Sequence, residues 1–386
     1  MVLNRTPKLS LFTVYAVLCL FWAPHSIALE DERGADLFCS DPATAICGVN
    51  GRDADARDER MRASVQAFED QAIAAVKAAY PALARRSELS HEDLKNLKNR
   101  RLRDKALTVY YETVLENVKK KLGSANASAE LHLSRMKKSL EEVILKHPSI
   151  DPRENAEMLK RLKSVQLIDA VSVLQNPKAD QALRDSVIEN CNRDGLEENS
   201  YAEHLSSKGF VVICPGDYLA GLDEDEAKMQ PSEKLLADVV WVLGHEAGHH
   251  IDTENFPASY KKFRQCIVKN HRDELGGPVK NYIFEITADH WGNQMLASYL
   301  TTYDTRAKRF EILKRSMIGL CNTQDEGVHP PPKFRLEMLR ENPRIHEVMG
   351  CATPPPISSG NGKVSCTLKG IGKQVLFVQG VRHEDL

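Results

Sequence analysis

No Cys-x-x-Cys pair occurs among the nine cysteines of this 386-residue chain, so a metal site built from thiolates is not indicated. Charge of one sign is lacking too. Lys plus Arg number 52 against 54 Asp plus Glu, a formal net charge of -2, which argues against a dedicated nucleic-acid binder. No motif recurs at a fixed period, so a solenoid is not supported. After the first stretch of the chain no segment is apolar enough to cross a membrane. What remains is a chain long enough for one large domain or two ordinary ones.

The apolar stretch at the start reads as an address label. Arg5 and Lys8 form a basic lead, Leu9 to Ala23 is apolar, and Ser26-Ile27-Ala28 supplies small residues where a signal peptidase reads. Residues 1–28 are therefore expected to be a signal peptide cleaved after Ala28, and the protein to be exported, periplasmic or extracellular. Cys19 follows Val17-Leu18 rather than small residues, which speaks against lipidation. Eight cysteines remain beyond that leader, an even number that fits disulfides in an oxidising compartment. Pairing neighbours closes the shortest loops and predicts Cys39–Cys47, Cys191–Cys214, Cys266–Cys321 and Cys351–Cys366.

Leu29 to Arg60 is acidic and lacks periodicity. Helical spacing begins with Met61, Val65, Phe68, Ala72 and Val76 and stops at Pro81. Ser90-His91-Glu92-Asp93 fits a capping box, predicted to open one long helix that carries Leu107, Tyr110, Tyr111, Val114 and Leu122. A third helix carries Leu133 to Ile144. A fourth starts near Asp151-Pro152 and shows Met158, Leu162, Val165, Ile168 and Val171. Between Arg85 and Lys163 the balance is basic by 19 - 12 = 7 charges, read as solvated helix faces because acids are interleaved. Asn126-Ala127-Ser128 matches a glycosylation sequon, relevant only to a eukaryotic secretory route. Gly209 to Cys214 is β-branched and apolar and reads as a strand. The fold class expected is mainly α with a small β-sheet. It comprises a lead-in and helical region over 29–170, a main domain over 171–350, and a tail over 351–386 with a strand-like Gln374 to Val378.

The densest chemistry lies at the end of an apolar run, Val240 to His250. His245 and His249 stand four residues apart, so on a helix they project from one face and can share one zinc ion. Glu246 beside them can take a proton from water held by that ion. Pro231-Ser232-Glu233 reads as the helix start, with Ser232 as N-cap. A catalytic zinc wants a third protein ligand. The metzincin position for it holds Asn255, and the glycine position before that holds Asp252, which excludes that class. Glu285 and Asp289 share a face of a later helix, Val279 to Leu300. Glu285 can complete the site and Asp289 can fix the tautomer of a ligating histidine. Asp252 is the next candidate ligand. His250 and His290 point elsewhere on their helices and read as structural.

His-Glu-x-x-His followed by Glu-x-x-Ala-Asp resembles a gluzincin metallopeptidase, most closely the HtpX-like branch that includes the CAAX prenyl endopeptidases. His329-Pro330 followed by Arg335 matches a third element of that family. The resemblance covers about residues 209–338. It implies one Zn2+ per chain on His245, His249 and Glu285, Glu246 as general base, Asp289 behind the ligands, and His329 with Arg335 near the cleft. It also implies that the strand at 209–214 offers an edge to an extended substrate. The membrane helices and repeat domain of some relatives are absent, so their membrane-embedded and prenylated substrates are not carried over. The expected activity is zinc-dependent hydrolysis of peptide bonds in exported proteins, with protein or peptide as partner, no nucleic acid, and no transmembrane segment once the leader is removed. The alternative is a zinc-dependent chaperone with vestigial or gated proteolysis, against which the intact Glu246 argues. Hydrolysis of a non-peptide bond would use the same groups.

Overall fold

The computed structural model describes residues 32–122, 129–145, 152–191, 200–205, 208–220, 231–251, 258–275, 279–322 and 329–352. The expected leader, the sequon, Asp252, Asn255, the tail strand and Cys366 lie outside them. The fold is mostly helical with one small mixed sheet, as composition and spacing predict. Among the described residues no helix is long and apolar enough to cross a membrane.

Residues 32–40 form helix α1, followed by α2 (Pro42–Cys47) and the long α3 (Arg52–Ala79). The acidic lead-in is therefore helical rather than irregular. Its few apolar residues are enough, because Ala35, Phe38 and Ile46 are fully buried. Helix α3 buries Phe68, Ala72 and Val76 and ends where Pro81 restricts the preceding Tyr80. Pro81 then begins the short α4 (Pro81–Ala84).

The capping box at Ser90 forms as predicted, with reciprocal bonds between Ser90 and Asp93. It opens only α5 (His91–Lys95), not the long helix. Asn96 folds its backbone N–H and its side-chain amide back onto Glu92, ending that turn. Asn99 then accepts from the N–H of Leu102 and starts α6 (Arg100–Leu122) afresh. Helix α6 lies against α3, with the Tyr110 hydroxyl donating to Glu69 at 3.1 Å.

Helix α7 (Ala129–Leu145) matches the third predicted helix, while the fourth is shorter than its spacing implies. After α8 (Pro152–Ser164) the chain turns into strand β1 (Val165–Asp169), then α9 (Ala170–Gln175) and α10 (Gln181–Asn190). Val165 and Ile168 continued the three-and-four pattern of the helix. Here they pair instead with β3 (Lys208–Ile213), in parallel register Val165 to Gly209 and Ile168 to Val212. Strand β2 (Tyr201–Leu205) pairs antiparallel on the other side, giving the order β1-β3-β2. The strand expected to offer a free edge is thus the middle one. Both its edges are taken, and its run of buried residues from Phe210 to Ile213 is what a central strand requires.

Helix α11 (Pro215–Ala220) leads towards α12 (Pro231–Ile251), which carries the two histidines. Helices α13 (Ala258–Asn270) and α14 (Arg272–Leu275) precede α15 (Val279–Leu300). Helices α12 and α15 form the principal helix pair, and their backbones come very close. A Cβ on Gly248 would stand 2.9 Å from Ala288 Cα, and one on Gly244 would stand 3.0 Å from Gly292 Cα. Any side chain at either position would drive the two helices apart. Helices α16 (Arg306–Ile318), α17 (Pro332–Glu341) and α18 (Pro343–Val348) complete the fold. One apolar core runs through the whole, from Ala35 to Met349.

The disulfides overturn most of the local pairing. Cys191–Cys214 is present, but Cys39 bonds Cys351 and Cys47 bonds Cys321, across 312 and 274 residues. Cys39–Cys47, Cys266–Cys321 and Cys351–Cys366 are therefore excluded. The reason is that α1 and α2 do not loop back on themselves. They pack on α16 and α17, which puts Cys39 beside the end of α18 and Cys47 beside the turn Gly319–Asn322. Arg306 secures the same join by donating to Ala35 O at 3.1 Å and to Met349 O at 2.6 Å. Peptide mapping of unreduced protein should recover linked peptides 39/351 and 47/321. Replacing Cys47 and Cys321 together with serine should cost about 2–5 kcal/mol of stability, read from denaturant midpoints. Recovery of a 39/47 peptide would overturn this assignment.

Candidate metal centre

Helix α12 is buried through Leu236, Val239, Val240 and Leu243, and this drives its polar end into the protein. His245 is 3 % exposed there, which is costly for an imidazole unless its nitrogens are satisfied. Asp289 on α15 meets Nδ1 of His245 at 2.8 Å, so Nδ1–H donates to the carboxylate, and in the neutral ring Nε2 keeps its lone pair facing inward. Nε2 of His249 stands 3.1 Å from that nitrogen, and Oε2 of Glu285 lies 3.2 Å from the first and 3.6 Å from the second.

With both imidazoles neutral and their Nε2 lone pairs turned inward, the two nitrogens and the carboxylate oxygen repel one another unless a cation lies among them. The ligand atoms of His245, His249 and Glu285 all fall within 4.8 Å of one another. Tetrahedral zinc with bonds of roughly 2.0–2.1 Å requires ligand atoms about 3.3 Å apart. The spacings match that requirement. Oε2 of Glu285 is buried among these imidazoles. The donor set of two imidazoles and one carboxylate therefore fits a metal ion.

Without an ion the site is electrostatically divided. Burial works against an imidazolium at His245, but Asp289 and Glu285 outweigh it and raise its pKa to about 10. Burial and the neighbouring His245 push His249 down to about 4. Burial would raise Glu285, yet His245 and His329 beside it hold its carboxyl well below the usual range. Glu246 is pushed up to about 7 by burial, with Glu285 adding repulsion. Its Oε1 lies 3.9 Å from Nε2 of His245, and the backbone N–H of Ala202 on β2 donates to its carboxylate.

The remaining residues singled out by sequence divide into front and back. His329 is half-exposed, with Nε2 3.2 Å from Oε2 of Glu285. Arg335 is buried behind the ligands, where it clamps Asp289 through two bonds of 2.9 and 2.7 Å. His250 bonds the carbonyl of Phe210 at 2.8 Å and anchors α12 to β3, a structural role as expected. His290 lies between Phe263 and Trp291, also structural. Sequence reasoning passed over Trp241, Asn293 and Ala202. It also passed over the Gly244/Gly248 pair, whose four-residue spacing is a readable signal for close helix packing. No family model matches the chain, and no curated protein matches it.

Metal content of the purified protein should approach one ion per chain. Glu285→Ala should lose most of its zinc affinity, while Asp289→Asn weakens it about 10–100-fold, measured by competition with a chromophoric chelator. Chelation should lower the melting temperature, since an ion bound only to the folded state stabilises it by about 2.7 kcal/mol at a hundred times its Kd. Unchanged zinc binding by Glu285→Ala would refute the ligand assignment.

Proposed function

We propose that the chain is a zinc-dependent endopeptidase of gluzincin type, acting on exported proteins. The observation that carries this reading is the convergence of His245, His249 and Glu285 on one point with the carboxylate of Glu246 at its edge. His245, His249 and Glu285 would hold a zinc ion there, which would supply a Lewis acid able to bring the pKa of a nearby water to about 7 and to polarise a scissile carbonyl.

The chain's own groups supply the rest. Glu246 has a raised affinity for protons, which suits a base that must first accept one and then release it to the departing amine nitrogen. The Ala202 N–H donates to that carboxylate and holds it in place. Half-exposed His329 is the group available to an oxyanion. Arg335 acts instead through Asp289, as a fixed counter-charge for the carboxylate that orients His245. The edge role expected of residues 209–214 passes to β2. Among the described residues β2 pairs on one side only, and its Ala202 N–H turns outward to Glu246. An extended peptide added along that edge would bring its backbone past the metal ligands. Disulfides in the chain agree with an oxidising compartment.

Glu246→Gln tests the reading at one group. The amide keeps the size of the side chain and leaves all three ligands in place, so zinc content and melting temperature should stay at parental values. Hydrolysis of unfolded protein substrates should fall at least 10²–10⁴-fold, the usual worth of a general base. Parental turnover by this variant would refute the mechanism. A parent that holds zinc and cleaves nothing would refute the endopeptidase assignment.

A further inference from the structure

We infer that Trp241 is a positioning residue for the metal centre, a flat support that fixes the ring of His245 and the back of Asp289 together; this rests on reading His245, His249 and Glu285 as ligands. The Nδ1–H···Oδ1 bond from His245 to Asp289 pins one point of the imidazole. A single such bond leaves the ring able to tilt about its axis, which would swing the Nε2 lone pair off the ion. Trp241 lies one helical turn before His245, and its indole stacks on the imidazole with centroids 5.2 Å apart and planes 30° apart. A flat partner against the ring face opposes that tilt.

The same indole also carries the guanidinium of Arg335, whose Cζ lies 4.9 Å from the ring centroid. Arg335 is the residue that clamps Asp289 from behind. Trp241 thus steadies both partners of the hydrogen bond that sets the His245 tautomer. The indole itself is fixed from α15. Its Nε1–H donates to Oδ1 of Asn293 at 2.8 Å, and it fits there because Gly292 has no side chain. A Cβ on Gly292 would come within 2.9 Å of Nε1. Trp241 is 4 % exposed, so it does not meet a substrate. It acts through His245.

The experiment compares Trp241→Leu, Trp241→Phe and Asn293→Ala in the full chain, loaded with zinc or cobalt. Zinc affinity is read by chelator competition, ligand geometry by the visible absorption of the cobalt form, and folding by the melting temperature in chelator. Trp241→Leu should weaken zinc about 10–100-fold and shift the cobalt bands. Trp241→Phe, which restores a flat ring, should recover most of the affinity and the parental spectrum. If Trp241→Leu does not fold, Asn293→Ala decides, because it frees the indole nitrogen and leaves the aromatic in place. An affinity loss of several-fold is then expected. Parental affinity in Trp241→Leu, or in Asn293→Ala where it must decide, overturns the inference. So does a Phe variant as weak as the Leu variant, since that would mean filling rather than orientation. A parent that binds neither ion overturns the ligand assignment first, and this inference with it. Tight parental binding with an unchanged Leu variant overturns this inference alone.

Discussion

The close crossing of α12 and α15 is the constraint on which the rest of the molecule depends. The two histidines and Glu246 sit on one helix, and Glu285 and Asp289 on the other. Only a near-contact of backbones lets short side chains such as Asp289 meet a ring across the gap. Gly244, Gly248, Ala288 and Gly292 create that approach by having little or nothing at Cβ. Dispersion forces fall off within fractions of an ångström, so one methyl group here would cost packing and geometry together. The candidate metal-binding group is therefore as much a consequence of four small residues as of the residues that carry its chemistry.

Burying so much charge at one crossing calls for counter-charges, and the fold places them deliberately. Asp289 is enclosed, yet Arg335 holds its carboxyl below the usual range despite burial that would raise it. A second enclosed pair lies further up α12, where Arg315 of α16 meets Asp238 at 2.8 Å with both side chains 3 % exposed. Such pairs add little net stability compared with apolar residues, but removing one partner strands the other at a cost of about 3–5 kcal/mol. Their effect is to specify which helices meet at which register. The first pair joins α15 to α17 and the second joins α12 to α16, so each of the two central helices is keyed to an outer one.

Legibility in the sequence followed the range of the interaction. His245, Glu246 and His249 could be read directly because their relation is set by one helical turn, and Glu285 with Asp289 for the same reason. That the two turns face each other was legible only through the chemistry each left incomplete. Local pattern misled where two structures share it. Leu162, Val165 and Ile168 keep helical spacing, and nothing in Ser164 announces that the chain becomes a strand there; pairing with β3 decides it. The acidic lead-in looked featureless because a few buried side chains suffice once a partner surface exists. Disulfide partners were least readable of all. Closing a long loop costs only slightly more entropy than closing a short one, so sequence proximity carries little weight once tertiary packing has chosen neighbours.

The bond between Cys39 and Cys351 turns almost the whole described chain into a ring. A single cut in the backbone anywhere between those positions opens the ring but releases nothing, because both pieces remain joined through sulfur. Cys47–Cys321 repeats the safeguard for any cut between 47 and 321. The segments that link the helices can therefore be nicked once without loss of a fragment. α1 and α2 stay on the surface of α16 and α17 even when the peptide chain that leads to them has been severed. In an environment rich in hydrolases, a nicked molecule of this kind remains one covalent body, and reduction rather than proteolysis is what takes it apart.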